Sequence, residues 1–409
     1  MTTRGEGAGL TDPPVGGGGR IPRHRLALLM LGGAGLLLGT YTGLARAGVG
    51  HRFVAADLHA VVMVLGFLGT LIALERAVAL GRRWGYLAPA CSGAAVVTLP
   101  FARGVGGVLL LAAGIVVVAT YVALLRRGHL DIHLSIMGVG ALAWIAAAGL
   151  WLAGAGPVRI TPLLAAFLVL TIVGERLELS RLTLPTGGSR IGFLVLVGLF
   201  VVGVALTPWW RDVGLIVGGV ALVGQVAWLL RADVARRTVR RPGLPRFAAL
   251  CMLGAYGWLA VSGVLWVALG AGAGGALLHD ALVHALFLGF VLSMVMGHAP
   301  IILPAVLRIP LTFLPVAYVP LALLHASVAL RVGADLAGSF GWREVALHGN
   351  VAALLLFVAV SVVAARRGRR TGTWVATAVP STPAAGTEGA NPRPSPPAPR
   401  TPRSLERTV

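Results

Sequence analysis

The sequence predicts an all-α protein that crosses a membrane about twelve times. Of its 409 residues, 57% are hydrophobic and only 12% are charged, whereas about a quarter of the residues of a soluble domain are charged. The mean hydropathy is +0.87. Apolar runs of about 20 residues, the length that spans the hydrocarbon core of a bilayer as a helix, recur along the whole chain.

Short polar turns or turns with Gly and Pro separate the predicted spans, which we number 1 to 12 in chain order. No signal-peptide cleavage site follows the first apolar run, so we interpret that run as a retained span. The spans cover residues 26–45, 56–80, 85–102, 105–125, 131–153, 159–181, 190–208, 213–231, 247–270, 277–298, 311–331 and 345–366.

The basic residues predict the orientation of these spans. All 34 are arginines, and they give a net charge of +20. They concentrate in alternate loops, with the largest groups in 231–246 and 365–370. By the positive-inside rule these loops face the cytoplasm. We therefore expect a multi-pass protein of the inner (plasma) membrane with both termini in the cytoplasm, whose partner is the lipid bilayer.

Composition also excludes several classes of function. The arginines cluster at the ends of apolar runs, which argues against a nucleic-acid partner. Cys91 and Cys251 lie far apart inside apolar runs without CxxC spacing, so a disulfide, a zinc site or an iron–sulfur cluster is not expected.

Two tails flank one membrane domain, residues 23–370. Residues 1–22 are rich in Gly, and residues 371–409 are rich in Pro, Thr, Ser and Arg. Neither tail has enough apolar residues to form a core, so both are predicted to be disordered.

Spans 2, 6 and 10 resemble one another in sequence. They contain GFLGTLIALER (66–76), LVLTIVGER (168–176) and GFVLSMVMGHAP (289–300), and each has a polar residue near its predicted cytoplasmic end: Glu75, Glu175 and His298. Either this is a chance similarity of helices rich in Leu, Gly and Val, or the domain consists of three pseudo-symmetric four-helix arcs.

Histidines form a predicted outer layer. Counted at about 1.5 Å per residue, His59, His284, His325 and His348 fall in the outer halves of spans 2, 10, 11 and 12, and His279 lies at the outer boundary. Any one of them could hydrogen-bond a neighbouring helix. Ionisable residues within spans are costly and mark functional sites, and four on four helices favour a shared site.

A second polar group lies near the predicted cytoplasmic face. It is either a proton relay or a set of interfacial ion pairs with snorkelling side chains. His284 and His298, 14 residues apart, should be separated by about 21 Å and face within about 40° of each other on a regular helix. The group comprises Glu75, Arg76, Glu175, Arg176, Glu178, His298 and, at the start of span 5, Asp131 and His133.

The outer histidines suggest a cofactor, because neutral imidazole ligates haem iron, copper and zinc. Two histidines at similar depth on different helices can hold a haem from both faces, and we predict His59 and His284 for this pair. Three histidines with an open position suit copper. His279, His325 and His348 therefore remain for a metal, for substrate contact or for hydrogen bonds. Asp280, just before a helix, is a candidate N-cap.

DLHAVVMVLGF (57–67) in span 2 and VHALFLGF (283–290) in span 10 resemble the haem–copper oxidase subunit I superfamily and, more closely, its smaller histidine-rich relatives of the NnrS type. The resemblance covers about residues 26–366. It implies twelve helices in three arcs, a haem of the b type between His59 and His284, copper as a second cofactor, and a link to nitric oxide metabolism.

The departures from that family matter for activity. Oxidases have two histidines one residue apart on span 10, one on span 6 and a pair on span 7. Here Glu175 and Glu178 occupy span 6, and span 7 has no histidine. The dinuclear oxygen-reducing site is therefore not expected.

Three classes of function fit the sequence. The first is a haem- and copper-binding protein of respiratory or nitric-oxide-related redox metabolism, whose partner would be a redox protein or nitric oxide itself; the sequence leaves open whether it is an enzyme. The second is a proton- or metal-coupled transporter, in which the three prolines of GHAPIILPAVLRIP (297–310) interrupt a helix. The third is a scaffold whose polar residues only join helices.

Overall fold

A computed structural model describes residues 21–48, 56–127, 131–180 and 188–372. The two tails that were predicted to be disordered lie almost entirely outside these residues, so the structure leaves that prediction untested. Within the described residues the regular structure is helical throughout, with no strand.

Eleven helices of the described chain are long and apolar enough to cross a membrane. This confirms the predicted all-α, polytopic membrane architecture. We label the main helices α1 to α12 in chain order, which matches the numbers of the predicted spans. They are α1 Arg23–Arg46, α2 Ala56–Leu80, α3 Leu87–Thr98, α4 Arg103–Leu125, α5 Ile132–Leu152, α6 Pro157–Ser180, α7 Gly188–Leu206, α8 Arg211–Ala232, α9 Leu244–Gly270, α10 Ala276–Leu307, α11 Tyr318–Leu336 and α12 Phe340–Thr371.

Helix α3 is the one labelled helix that is too short to cross a membrane, since it has only 12 residues and a length of about 18 Å. The chain nevertheless returns across the domain here. Arg103 at the start of α4 forms an ion pair with Asp57 at the start of α2, and Arg127, after α4, donates a hydrogen bond to the Leu80 carbonyl at the end of α2 (2.6 Å). The helices α2 and α4 therefore run in the same direction, and α3 with its flanking turns connects them.

These contacts define two ends of the domain. We call the end that holds Leu80 the arginine-rich end and the end that holds Asp57 the arginine-poor end. Arg25 near the start of α1 donates a hydrogen bond to the Val306 carbonyl near the end of α10 (3.0 Å), so these two helix ends also meet at the arginine-rich end. The arginine-rich end is the one predicted to face the cytoplasm.

The helices α2 and α6 form the centre of the domain, since 72% of the residues in the apolar window of each are buried. Gly69 of α2 lies against the indole ring of Trp144 on α5. The Trp144 ring packs against Phe167 of α6, and its N–H donates to the Leu110 carbonyl of α4 (3.0 Å). One buried aromatic side chain therefore joins α2, α4, α5 and α6.

The boundaries of α10 and α11 differ from the predicted spans. Helix α10 continues through Pro300 and Pro304 to Leu307 and ends where Arg308 adopts φ 55°, so the prediction that these prolines interrupt the helix is wrong. Residues 309–314 are apolar but not helical. The reason is that a proline lacks the N–H and restricts the residue before it, and Pro310 lies within this segment while Pro315 follows it.

Both candidate haem-binding histidines lie next to π-helical segments. In α2 the π-helix Val62–Leu68 begins three residues after His59, and in α10 the π-helix Ala285–Leu292 begins directly after His284. Such segments are rare and frequently occur at functional sites. Because each π turn contains more residues than an α turn, the regular advance used to relate His284 to His298 does not hold in α10.

Glycines set the distance between α8 and α9, and this gives a test of the packing. A Cβ added to Gly219 of α8 would lie 2.5 Å from the Gly263 carbonyl oxygen of α9, whereas a Cβ on Gly257 of α9 would meet no atom within 4 Å. We expect Gly219→Ala to lower the free energy of unfolding by about 1–3 kcal/mol, because backbone cannot yield as a side chain does. Gly257→Ala should leave stability unchanged or slightly higher. Unfolding of the purified variants in detergent, followed by circular dichroism, measures both. Equal losses in the two variants would contradict this packing.

Candidate functional site

His59 is seated against glycines of α1. Its Nδ1 lies 2.8 Å from the Gly39 carbonyl oxygen, to which it donates a hydrogen bond. A Cβ on Gly43 would come within 2.9 Å of the imidazole Cε1, so the missing side chain makes room for the ring. In the described part of the chain Nε2 has no hydrogen bond, which leaves its lone pair available to a ligand.

His284 has the same arrangement on α10. Its Nδ1 lies 2.8 Å from the Asp280 carbonyl oxygen one turn earlier and 3.5 Å from an Asp280 carboxylate oxygen. Nδ1 therefore carries the proton, and Nε2 has no hydrogen bond among the described residues. His59 lies within electrostatic range of both His284 and Asp280, so the two histidines predicted as a pair belong to one region of the arginine-poor end.

A cluster of four charged side chains adjoins His284. Asp280 Oδ2 accepts from Arg331 Nη2 at 2.5 Å and from Arg343 Nη2 at 3.0 Å. Asp335, whose side chain is fully buried, pairs with both arginines, at 3.4 Å to Arg331 Nε. Two carboxylates and two guanidinium groups from α10, α11 and α12 thus balance one another in charge.

This charge balance decides against a cation at the same place. Asp280, His284 and Asp335 offer ligand atoms within 4.8 Å of one another, which is a spacing that suits a metal ion. The carboxylate oxygens already accept hydrogen bonds or ion pairs from Arg331 and Arg343. A cation would have to displace buried guanidinium groups, so we assign this cluster a structural and positioning role.

The other three outer histidines do not join this region. The only group of metal-binding spacing in the described chain is the Asp–His–Asp group above, so a site made of His279, His325 and His348 is not formed. His325 accepts a hydrogen bond from Trp258 Nε1 (2.9 Å), and its Nε2 lies 3.4 Å from Ser293 Oγ. This position is roughly two turns deeper than His284, and the prediction of one common layer is wrong.

His348 and His279 have separate surroundings. His348 is exposed on α12, where its Nδ1 bonds the Glu344 carbonyl (2.8 Å). His279 lines a cavity at the arginine-poor end, and its Nδ1 is buried without a partner among the described residues.

The polar group at the arginine-rich end links the three helices that resemble one another. Arg76 of α2 forms ion pairs with Glu75 and with Glu175 of α6, the latter at 3.1 Å. The next residue of α6, Arg176, lies 2.5 Å from Nε2 of His298 on α10. These contacts bring Glu75, Arg76, Glu175, Arg176 and His298 together at this end.

Hydrogen bonds define the protonation of His298. Its Nδ1 donates to the Met294 carbonyl (2.6 Å), so its Nε2 accepts from Arg176. The imidazole is therefore neutral with both nitrogens engaged, which leaves none for a metal. At the same end His133 Nε2 lies 3.4 Å from a Glu178 carboxylate oxygen.

Sequence reasoning missed Arg331, Asp335 and Arg343. The predicted eleventh span ended at residue 331, which placed Asp335 in a loop. The structure extends this helix to Leu336, and the spacing of Arg331 and Asp335 by four residues then puts them on one face. Asp280 is not an N-cap, because α10 begins at Ala276 with Gly275 as its cap residue.

The fold and these two clusters define a polytopic helical membrane protein with histidines and ion pairs near both ends of its helical domain. The chain belongs to the family described as a domain of unknown function (DUF8744), whose model matches residues 25–366. That range covers α2 to α11 entirely and most of α1 and α12. No curated protein and no solved structure matches the chain.

The charged cluster predicts an asymmetry between two aspartates at the arginine-poor end. Asp280→Asn leaves Arg331 and Arg343, with side chains 9% and 23% exposed, opposite a single carboxylate. We expect it to lower the free energy of unfolding by about 3 kcal/mol, because an uncompensated buried charge is costly.

Asp57→Asn is the matched control, since the Asp57–Arg103 pair is about half exposed and such pairs contribute less than about 1 kcal/mol. Denaturation in mixed micelles measures both variants. A loss for Asp280→Asn no larger than that for Asp57→Asn would refute the structural role of the cluster.

Proposed function

We propose that this protein binds a haem of the b type through His59 and His284 and serves respiratory or nitric-oxide-related redox metabolism. The observation that carries the proposal is the shared state of the two imidazoles. Each donates its Nδ1 proton to a backbone carbonyl, and this arrangement fixes the tautomer in which Nε2 is the metal ligand.

The donor set fits this cofactor better than a simple metal ion. Two neutral imidazoles from different helices suit haem iron, and the nearby carboxylates are held by arginines. The bound group would supply one-electron redox chemistry. A separate copper site is not part of the proposal, because His279, His325 and His348 lie apart.

This chain's own residues would orient the ligands. The Gly39 carbonyl oxygen accepts a hydrogen bond from Nδ1 of His59, and Gly43 leaves room for the ring. Asp280 holds His284 through its carbonyl (2.8 Å) and its carboxylate. Arg331 and Arg343 in turn fix that carboxylate, so the orientation of His284 depends on α11 and α12 as well.

The test is the absorbance spectrum of protein produced in cells with ample haem. The wild type should show a Soret band and, on reduction, split α and β bands. His59→Ala and His284→Ala should each weaken these bands, because each removes one ligand. His348→Ala is the control, since this exposed histidine has the same Nδ1-to-carbonyl bond. A protein that retains a native circular dichroism spectrum but binds no haem would refute the proposal.

Proton-coupled transport is a second candidate, favoured by the polar group at the arginine-rich end. Glu75, Arg76 and Glu175 are connected by ion pairs between the central helices α2 and α6. If the protein moves protons, the lumen of vesicles that contain it should acidify under an imposed proton gradient, as reported by a pH-sensitive dye inside the vesicles. Glu175→Gln should slow this acidification at least severalfold. Glu344→Gln, at an exposed site, is the control. Acidification no faster than in protein-free vesicles would rule out this candidate.

A further inference from the structure

A cavity of about 450 Å³ opens at the arginine-poor end, separate from His59 and His284. It lies among the starts of α6, α8 and α10 and the ends of α5, α7 and α9. Its volume is within the range of small-molecule sites in proteins. The lining has a basic part and an apolar part, and together they indicate which class of ligand the cavity binds.

The charged lining is entirely basic. Arg159 and Arg211 line the cavity, and no Asp or Glu does. Across the described chain Arg159 has no ion pair or side-chain hydrogen bond. Arg211 has only Asp212 at 3.6 Å, an exposed pair of the kind that contributes little. Both guanidinium groups are therefore available to an anion.

The backbone adds to this positive potential. Helices α8 and α10 begin at the cavity, and neither has a side-chain cap. The free N–H groups of a first turn and the helix dipole favour negative charge at such a place. This contribution acts in the same direction as the two arginines.

Two residues that line the cavity, Trp266 and His279, each have a buried nitrogen without a partner among the described residues. Trp266 is 1% exposed, and within the described residues neither its indole N–H nor Nδ1 of His279 has a hydrogen-bond partner. A buried donor without an acceptor costs roughly 1–3 kcal/mol. Because an indole N–H can only donate, the missing group is an acceptor.

The remaining lining is apolar and includes Leu150, Leu163, Leu215, Leu269 and Leu282. A fully hydrated inorganic ion would leave this surface in contact with water. An apolar body attached to the anionic group would cover it. The lining thus matches the two parts of an amphiphilic molecule.

We propose that this cavity binds an oxyanion, a phosphate ester or a carboxylate, that is attached to an apolar body. Arg159 and Arg211 bind the oxygens, Trp266 donates its indole N–H, and the leucines contact the apolar part. An anionic lipid or a free organic phosphate could supply this chemistry. The site is independent of the proposed haem ligands.

The experiment uses the full-length protein in neutral detergent. It measures the unfolding midpoint and the dissociation constant on titration with phosphatidylglycerol, with phosphatidylcholine and with hexyl phosphate. An anionic probe should raise the midpoint, because a ligand that binds only the folded state stabilises it. Arg159→Gln and Arg211→Gln should each weaken binding by about tenfold or more, the effect of a lost charge-assisted hydrogen bond.

Two further variants make the result specific. Arg46→Gln removes an exposed arginine at the same end that does not line the cavity and should bind like the wild type. Trp266→Phe should weaken binding of the anionic probes because it removes the indole N–H, and it should also lower the stability of the ligand-free protein because the buried ring loses packed atoms. A tryptophan with only a packing role would lower the stability and leave the dissociation constant unchanged.

The outcomes distinguish the two possible sources of the ligand from a failure of the proposal. A response to phosphatidylglycerol alone identifies a lipid headgroup, and a response to hexyl phosphate identifies a free organic anion. Equal effects of phosphatidylglycerol and phosphatidylcholine, no effect of either anionic probe, or equal losses in Arg46→Gln and Arg159→Gln would overturn the proposal. Haem content does not enter any of these results.

Discussion

The arrangement of this domain depends on the contacts that link α2, α6 and α10 at the arginine-rich end. Arg76 of α2 reaches Glu175 of α6, and Arg176 of α6 reaches His298 of α10. In each step an arginine bonds the polar residue at the corresponding position four helices later. An arginine in this environment needs an acceptor, so these contacts fix the depth and rotation of the three helices relative to one another.

The same pattern bears on the three predicted arcs. Gly66 and Gly289 each precede the polar residue of their helix by nine positions, and both lie in π-helical segments. The similarity of α2 and α10 therefore extends from sequence to an uncommon backbone geometry. The arrangement as three arcs of four helices stays a prediction.

The arginine-poor end is organised by a different principle. There Asp280 and Asp335 neutralise Arg331 and Arg343 within a buried cluster, and His284 depends on Asp280 for its orientation. Buried ion pairs contribute little net stability compared with apolar packing, but removing one member is costly. The cluster therefore acts chiefly by holding α10, α11 and α12 in one arrangement around His284, while the lining of the neighbouring cavity contains two arginines and no acidic residue.

Prediction from sequence succeeded where a pattern repeats over a whole helix. Hydropathy located the eleven described helices that are long enough to span a membrane and the shorter α3, and the corresponding positions of Glu75, Glu175 and His298 placed these residues at one depth. Prediction failed where the position of a side chain depended on a shift of a few residues in the start or end of a helix. The predicted depth of His325 was wrong because prolines around residues 309–314 keep that apolar segment out of the helix. Arg331 and Asp335 were missed for the same reason.

The sequence by itself determined that the chain is a multi-pass helical membrane protein, because a bilayer requires long apolar helices whose backbone groups bond internally. It also placed the histidines of α2 and α10 and the glutamates of α2 and α6 within predicted spans, although Asp335 and Arg343 fell outside them. Only the tertiary structure decided which of them meet. His59 and His284 share one region whereas His325 and His348 do not, because helix packing, the π-helical segments and the charged cluster set the positions of side chains far apart in sequence. The cavity with Arg159, Arg211 and Trp266 likewise arises from six helix ends that no local pattern brings together.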